Sequence, residues 1–253
     1  MSNPPGAQFT LPPRVVVVTG GTRGIGRAIV RRFVHAGDTV VTLARDAATL
    51  AEGDVRSERC DITDEAAVRA TFERVGAVDV LVNNAGASES ASLARTSLES
   101  WERQYAVNAT GTFLCTRAVL PTMIERGYGR IVMVASTAAR IGYRYVGGYV
   151  ASKHAAVGLM RSVAAEVAAT GVTANAVCPA FVRTEMAARS IERIVQATGR
   201  SERDSERALA ESSPLRRLLE PEEVAAAVAF LASHDARSIN GQTIVLDGGG
   251  IQA

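Results

Sequence analysis

The sequence predicts a doubly wound α/β domain: a seven-stranded parallel sheet with helices on both faces and a small helical lid. Three observations carry that prediction. Short apolar runs alternate with helical patterns along the chain, the signature of βαβ units. The first run is followed at once by a glycine-rich turn, TGGTRGIG (residues 19–26), that opens a helix. The length of 253 residues suffices for one large α/β core, and no linker, repeat or low-complexity block divides it. One domain over residues 14–253 is therefore expected, preceded by a loose, flexible arm, MSNPPGAQFTLPP (1–13).

In chain order, RVVVVTG (14–20) reads as a buried strand and GRAIVRRFVHAG (26–37) as a helix closed by a glycine. TVVTLA (39–44) is the second strand, and ERCDI (58–62) the third, leading into a helix from about Asp64 to Val75. VDVLVNNAG (78–86) is the fourth strand with its loop. Residues 98–126 form a long helical stretch around Trp101, Tyr105 and Phe113. GRIVMVAS (129–136) is the fifth strand, residues 149–170 a helix ended by Gly171, and VTANAVCP (172–179) the sixth strand. Residues 186–213 are polar and charged with no strand pattern. EPEEVAAAVAFLAS (220–233) opens as a helix with Pro221 and two Glu in its first turn, and GQTIVLDGG (241–249) is the last strand.

Composition narrows the class. The chain is 47% hydrophobic and 21% charged, and its 28 basic against 26 acidic residues leave a net charge of +2. No basic stripe interleaves with aromatics, so nucleic acid is not an expected partner. No apolar run approaches the roughly 18 residues of a membrane span, and the N-terminal arm lacks the charged-then-apolar order of a signal peptide. Cys60, Cys115 and Cys178 are far apart and odd in number, which points to reduced thiols in a cytoplasmic protein and to no metal site.

The glycine-rich turn has the chemistry of a phosphate cradle. Gly20 permits the tight turn, Gly24 lets backbone approach a pyrophosphate, and Gly26 lets helix and sheet meet closely. The helix N-terminus then offers unpaired N–H groups to the phosphates. A tight turn serving packing alone is the plainer reading of the same residues. The tip of the second strand selects the nucleotide. NAD binders carry an acid there, whereas this chain reads Leu43, Ala44 and Arg45, with Arg23 inside the glycine-rich turn. Two guanidiniums without an acid suit a 2′-phosphate, so NADP(H) is favoured over NAD(H). Against this, both arginines also fit a solvated surface, and Asp46 weakens the local field. Asp61 reads either as a helix-capping acid or as an adenine contact. Asn83, Asn84, Ala85 and Gly86 allow a ribose to lie close, tie neighbouring strands together, or simply make a turn.

YVASK (149–153) carries the candidate chemistry. Residues four apart on a helix differ by about 40° in azimuth, so Tyr149 and Lys153 share a face. A phenol titrates near 10, and a neighbouring ammonium favours its ionised form. A phenol so tuned exchanges a proton with a carbonyl oxygen or an alcohol. Ser136, at the tip of the fifth strand, is positioned to hold the oxygen where charge develops. Tyr143 and Tyr145 have no cation four residues on. His154 lies about 140° around the helix from Tyr149, and His35 and His234 are scattered. Taken alone, Tyr149 and Lys153 also describe an ordinary exposed helical pair; the upstream phosphate loop and Ser136 favour the catalytic reading.

Together, TGGTRGIG, NNAG, the Asn of YAVNATGTF, GRIVMVAS, YVASK and NAVCPAFVRT resemble the short-chain dehydrogenase/reductase family, over about residues 14–249. The resemblance implies a Rossmann-type domain in which Ser136, Tyr149 and Lys153 are catalytic. It adds Asn108 as the holder of a water that links Lys153 to solvent. It implies cofactor contacts from Gly20, Thr22, Arg23, Gly24, Ile25, Gly26, Arg45, Asp61, Ile62, Asn84, Ala85, Gly86 and Val107. Tyr149 and Lys153 join these, and Pro179, Val182 and Thr184 cover the nicotinamide. It implies a homotetramer or homodimer, built in tetramers on the helices near 108–126 and 149–170. Two departures stand out: Ala180 replaces the usual Gly of CPG, and Arg216 stands where Gly is common.

The substrate pocket is expected between residues 137–148 and a lid over about 184–214. The lid carries Arg189, Arg193, Arg200, Arg203 and Arg207, and reads as two short helices around Thr198 and Gly199 with a cap from Ser201 and Asp204. It is either a solvated flap or a surface whose arginines meet an anionic carrier. The resemblance is to bacterial ketoreductases of 3-oxoacyl thioesters and polyketides and to 3-hydroxyacyl-CoA dehydrogenases. The expected activity is NADP(H)-dependent hydride transfer between a ketone, such as a 3-oxoacyl thioester, and its alcohol. The alternatives are an NAD-dependent 3-hydroxyacyl dehydrogenase and a non-catalytic nucleotide-binding regulator.

Overall fold

Strand pairing in the computed structural model, which describes residues 13–46 and 55–252, is parallel throughout. Nearly all of the expected N-terminal arm lies outside the described residues. The strands are β1 (Val15–Thr19), β2 (Thr39–Ala44), β3 (Arg56–Arg59), β4 (Val80–Asn83), β5 (Gly129–Val134), β6 (Val172–Pro179) and β7 (Thr243–Leu246). They form one seven-stranded sheet in the order β3-β2-β1-β4-β5-β6-β7. The chain leaves β1 in one direction to build β2 and β3, then returns to β4 on the other side. That reversal opens a crevice at the carboxyl ends of β1 and β4, where open α/β sheets bind ligands.

The two-residue period of the strands divides the core. Val17, Leu81, Ile131 and Met133 face α2 (Glu65–Val75), α4 (Thr112–Glu125) and α5 (Gly147–Glu166). Val16, Val18, Val80, Val82, Val132 and Val134 face α1 (Gly24–His35) and α8 (Pro221–Leu231). Central strands covered on both faces read as continuous apolar runs, which is why they were visible in the sequence. α3 (Leu98–Tyr105) lies against α5, and α6 (Glu185–Thr198) and α7 (Glu202–Ala210) pair over the sheet's carboxyl edge.

Several boundaries differ from those the sequence predicts. β3 begins at Arg56, before the expected residue 58, because RSER is a polar edge strand whose side chains pair with one another and with Arg74. It ends early because Asp61 Oδ1 accepts from Thr63 N at 2.9 Å, turning the chain. Asp64, not Asp61, caps α2. The expected continuous helix over 98–126 is interrupted by a π-helical segment, residues 106–111. α5 starts two residues ahead of Tyr149 and ends at Glu166, short of residue 170. The two short lid helices do form, with Gly199 left-handed between them and Ser201 capping the second. Ala180 fits the sixth strand's exit, donating its N–H to Leu246 O at 2.9 Å. Arg216, by contrast, is left-handed at φ +51°, a conformation that glycine adopts without strain.

At the opposite, amino end of the sheet Arg130 is 2% exposed and has no carboxylate partner among the described residues. Its guanidinium donates to Gly129 O, Gly171 O and Ser233 O and lies over the Tyr128 ring. Three carbonyls, at the start of β5, before β6 and just past α8, thus share one buried cation. Replacing Arg130 by Met should leave these carbonyls unpaired and cost about 2–4 kcal/mol, lowering Tm by roughly 5–10 °C for a chain of this size. Arg69→Met, which removes only an exposed helical pair with Glu73, should shift stability by less than about 1 kcal/mol. Thermal and urea denaturation of the two variants checks this.

Candidate active site

The turn between β1 and α1 is built to receive an anion. Gly24 is left-handed at φ +51°, and a Cβ on Gly26 would lie 2.1 Å from Gly20 O, so only glycine permits helix and turn to meet there. Arg23 occupies the N-cap of α1 without a side-chain cap bond, and the first turn holds no acid. The helix's first N–H groups and its positive end therefore face the turn. Across the crevice, Thr19 Oγ1 accepts from both Asn84 N and Ala85 N at 3.0 Å. Asn84 Nδ2 donates to Thr19 O and Gly20 O at 2.9 and 3.1 Å. Of the roles open to NNAG, Asn84 performs the strand tie, and Asn83 binds the Thr116 hydroxyl of α4 at 3.0 Å.

A cleft of about 580 Å³ runs from this turn along the carboxyl edge. Gly20, Thr22, Arg23, Gly24, Ile25 and Gly26 line its floor; Arg45, Asp61 and Ile62 line one end. Asn84, Ala85, Gly86, Val107, Tyr149, Lys153 and Thr184 continue the wall. Pro179 and Val182 do not reach the wall; Val182 is buried and bridges to Leu219. The Thr184 hydroxyl caps α6, donating to Val182 O and accepting from Ala187 N. Arg45 is exposed at the tip of β2, and its charge helps hold the Asp61 carboxyl below the usual range, after the backbone and hydroxyl bonds from Thr63. Arg23 lines the cleft and pairs through its guanidinium with Glu185 at 3.0 Å, joining the glycine-rich turn to α6.

Tyr149 and Lys153 stand on the same face of α5, the ammonium 5.8 Å from the phenol ring centre. Lys153 Nζ donates to Val134 O at 2.9 Å, reaching back to the end of β5. Ser136, just beyond β5, accepts from Ala138 N at 3.1 Å through its hydroxyl and lies beside the Tyr149 phenol, whose ionised form it favours. Asn108 lies in the π segment, 1% exposed, behind the cleft wall. Its side chain accepts from Ala87 N at 2.9 Å and donates to Ala87 O and Ser152 Oγ at 2.8 and 2.9 Å. A Cβ on Gly86 would lie 3.3 Å from Asn108 Oδ1 and 3.6 Å from Lys153 Nζ, so this glycine keeps the space between them open.

The electrostatics differ from the expectation of a phenol made acidic by its lysine. Tyr149 faces the cleft, yet protein surrounds it closely enough that burial pushes its phenol above the ordinary value of 10, against the opposite influence of the neighbouring Ser136 side chain. Burial also lowers Lys153 to about 8. Desolvation is the largest influence on both groups.

The cleft also contains residues the sequence did not point to. Glu89, Arg103 and Met186 line it beside Arg189. Arg103 binds both Glu89 oxygens, at 3.0 and 3.1 Å, and holds that carboxyl low together with the Ser100 hydroxyl. The only local signal is the i,i+4 pairing of Glu99 with Arg103; the loop return that brings Glu89 to α3 is tertiary. Among the described residues no group of three His, Cys, Asp or Glu could hold a metal ion, and no helix is long and apolar enough to cross a membrane. The uncapped helix start, the glycine cradle and the long cleft fit a dinucleotide.

Comparison with known proteins agrees with this architecture. The family model described as enoyl-(acyl carrier protein) reductase matches residues 20–250. The chain is similar to 2-(R)-hydroxypropyl-CoM dehydrogenase of Xanthobacter autotrophicus, 39% identical over 93% of this chain and 97% of that protein. It is also similar to the 3-oxoacyl-(acyl-carrier-protein) reductase MabA of Mycobacterium bovis, 36% identical over 96% of this chain and 95% of that one. A crystal structure of a variant actinorhodin polyketide ketoreductase with NADPH superposes with a TM-score of 0.86 at 37% identity, covering 94% of this chain and 97% of that chain. Sequence, sheet order and relatives agree: the chain belongs to the short-chain dehydrogenase/reductase family and is an oxidoreductase.

Proposed function

We propose that this oxidoreductase is an NADP(H)-dependent carbonyl reductase acting on 3-oxoacyl thioesters or related ketones. The observation that carries the reading is Tyr149, flanked by Lys153 and Ser136, in the cleft that starts at the glycine-rich turn. The turn and the start of α1 hold the pyrophosphate, Arg45 takes the 2′-phosphate, and Asp61 and Ile62 flank the adenine. When bound, the nicotinamide supplies a hydride to the carbonyl carbon. Ser136 donates a hydrogen bond to the carbonyl oxygen, and Tyr149 delivers the proton to it. Burial keeps the Tyr149 proton in place at neutral pH, which suits donation to a ketone. Lys153 binds a ribose hydroxyl and supports recharging of the phenol. Asn108 acts as a positioning residue, holding Ala87 and Ser152 around Lys153.

We further propose a homotetramer in which the exposed Phe113 and Ile124 of α4 and Phe230 of α8 are covered. The three unpaired, buried thiols suit the reducing cytoplasm.

Tyr149→Phe should lower kcat for NADPH-dependent ketone reduction by about 100- to 10,000-fold while NADPH still binds. Retention of turnover would remove Tyr149 as the acid, and a regulator would keep its function in this variant. Arg45→Ala should weaken NADPH by about 10- to 100-fold and leave NADH little changed in fluorescence titrations. Tighter binding of NADH than NADPH by the unaltered chain would reassign the cofactor.

Lys153 adds a pH signature. Its native pKa of about 8 lies below its ordinary 10.5. Between these values the unfolded chain binds a proton that the native chain does not, so this group makes stability rise with pH through that window. Below pH 8 both states are protonated and the burial cost is fully present. The melting temperature of the unaltered chain relative to Lys153→Met should therefore climb from pH 8 towards 10.5, and a flat difference would refute the depressed pKa.

A further inference from the structure

The arginines of the α6–α7 segment are not equivalent. Arg193 donates to Ser90 Oγ at 3.2 Å and sits near Glu89, and Arg207 pairs with Asp204 at 3.8 Å. Arg200 and Arg203 do not line the cleft, whereas Arg189 does. With Glu185 and Met186 it occupies one face of α6, since residues 185 and 189 differ by about 40° around a helix.

The carboxylates at this end of the cleft already have partners. Glu185 is the helical neighbour that would ordinarily neutralise Arg189, but its carboxylate is drawn 3.0 Å from the Arg23 guanidinium. Glu89 is bound through both oxygens by Arg103 and accepts from Ser100 Oγ at 2.6 Å. Among the described residues Arg189 has neither an ion pair nor a hydrogen bond. It is exposed towards the cleft that also holds Tyr149.

We propose that Arg189 is a specificity-determining residue that receives an oxyanion of the substrate while its ketone lies at Tyr149. This rests on the carbonyl-reductase reading and narrows it: favoured substrates carry, beyond the carbonyl, a carboxylate or a phosphate-bearing thioester carrier. Arg189's guanidinium offers paired N–H donors that match either group. Met186, on the same helix face, provides an apolar contact for the chain between the two ends.

The test compares three substrates with one ketone group: acetoacetate, acetoacetyl-CoA and the uncharged N-acetylcysteamine thioester of acetoacetate, each with NADPH. Arg189→Gln should lower the kcat/KM ratio of an anionic to the uncharged substrate by about tenfold, mainly through KM. Arg203→Gln should preserve that ratio. A fall confined to acetoacetate identifies a carboxylate, and one confined to acetoacetyl-CoA identifies the carrier phosphate. An unchanged ratio for both anionic substrates overturns the proposal. So does a loss of NADPH affinity that accounts for the whole effect, since Arg189 would then belong to the cofactor site. If the unaltered chain binds NADPH but turns over none of the three, the carbonyl-reductase reading itself fails, and the assignment of Arg189 with it.

Discussion

Lys153 Nζ donating to Val134 O joins the two elements on which the candidate chemistry stands. α5 carries Tyr149, and β5 leads directly to Ser136. A bond from the middle of the helix to the end of the strand fixes their relative height and rotation. A buried ammonium needs strong acceptors, and a carbonyl at the end of a strand, where the ladder is finishing, is one that the sheet can spare. The same burial makes the arrangement costly to hold, which is visible in the lowered affinity of Lys153 for its proton.

Around that bond, polar side chains fix the ends of the strands. Thr19 and Asn84 tie β1 to β4 at the crevice, and Asn108 ties the loop after β4 to α5 through Ala87 and Ser152. Their effect is to place backbone and neighbouring groups, and Thr19 and Asn108 do so from buried positions where a lost bond is expensive. The apolar layers on the two faces of the sheet supply stability; these amides and hydroxyls supply register.

What the sequence reveals depends on how local the determinant is. β6 (Val172–Pro179) coincides with its predicted run because a central strand is apolar on both faces. The turn after β1, the cap at Ser201 and the break at Gly199 were legible because each is set by residues within one turn of chain, whereas the α2 cap was read at Asp61, three residues before its true place at Asp64. β3 was misjudged because an edge strand of alternating charges carries no apolar signal. The π segment, the pairing of Arg23 with Glu185 and the return of Glu89 onto Arg103 depend on contacts between distant segments. The sign of the Tyr149 shift was missed for a related reason: spacing on a helix reports the neighbouring cation, whereas desolvation depends on everything else that closes around the ring. Arg216 lies between these cases. The resemblance marked it as an unusual residue for its position, and its left-handed backbone explains why glycine is the easier choice there.

The π-helical segment over residues 106–111 has a consequence for how this chain tolerates change in length. A π turn accommodates one residue more than an α turn. Deleting a single residue there would let ordinary helix run on from α3 into α4, and each residue of phase corresponds to about 100° of rotation. Asn108 would then swing off the axis that joins Ala87 to Ser152, or else the inward face of α4 with Leu114, Cys115 and Val119 would turn out of the core. Residue count in this stretch is thus a fixed quantity, whereas exposed side chains on the same helices are at liberty to vary.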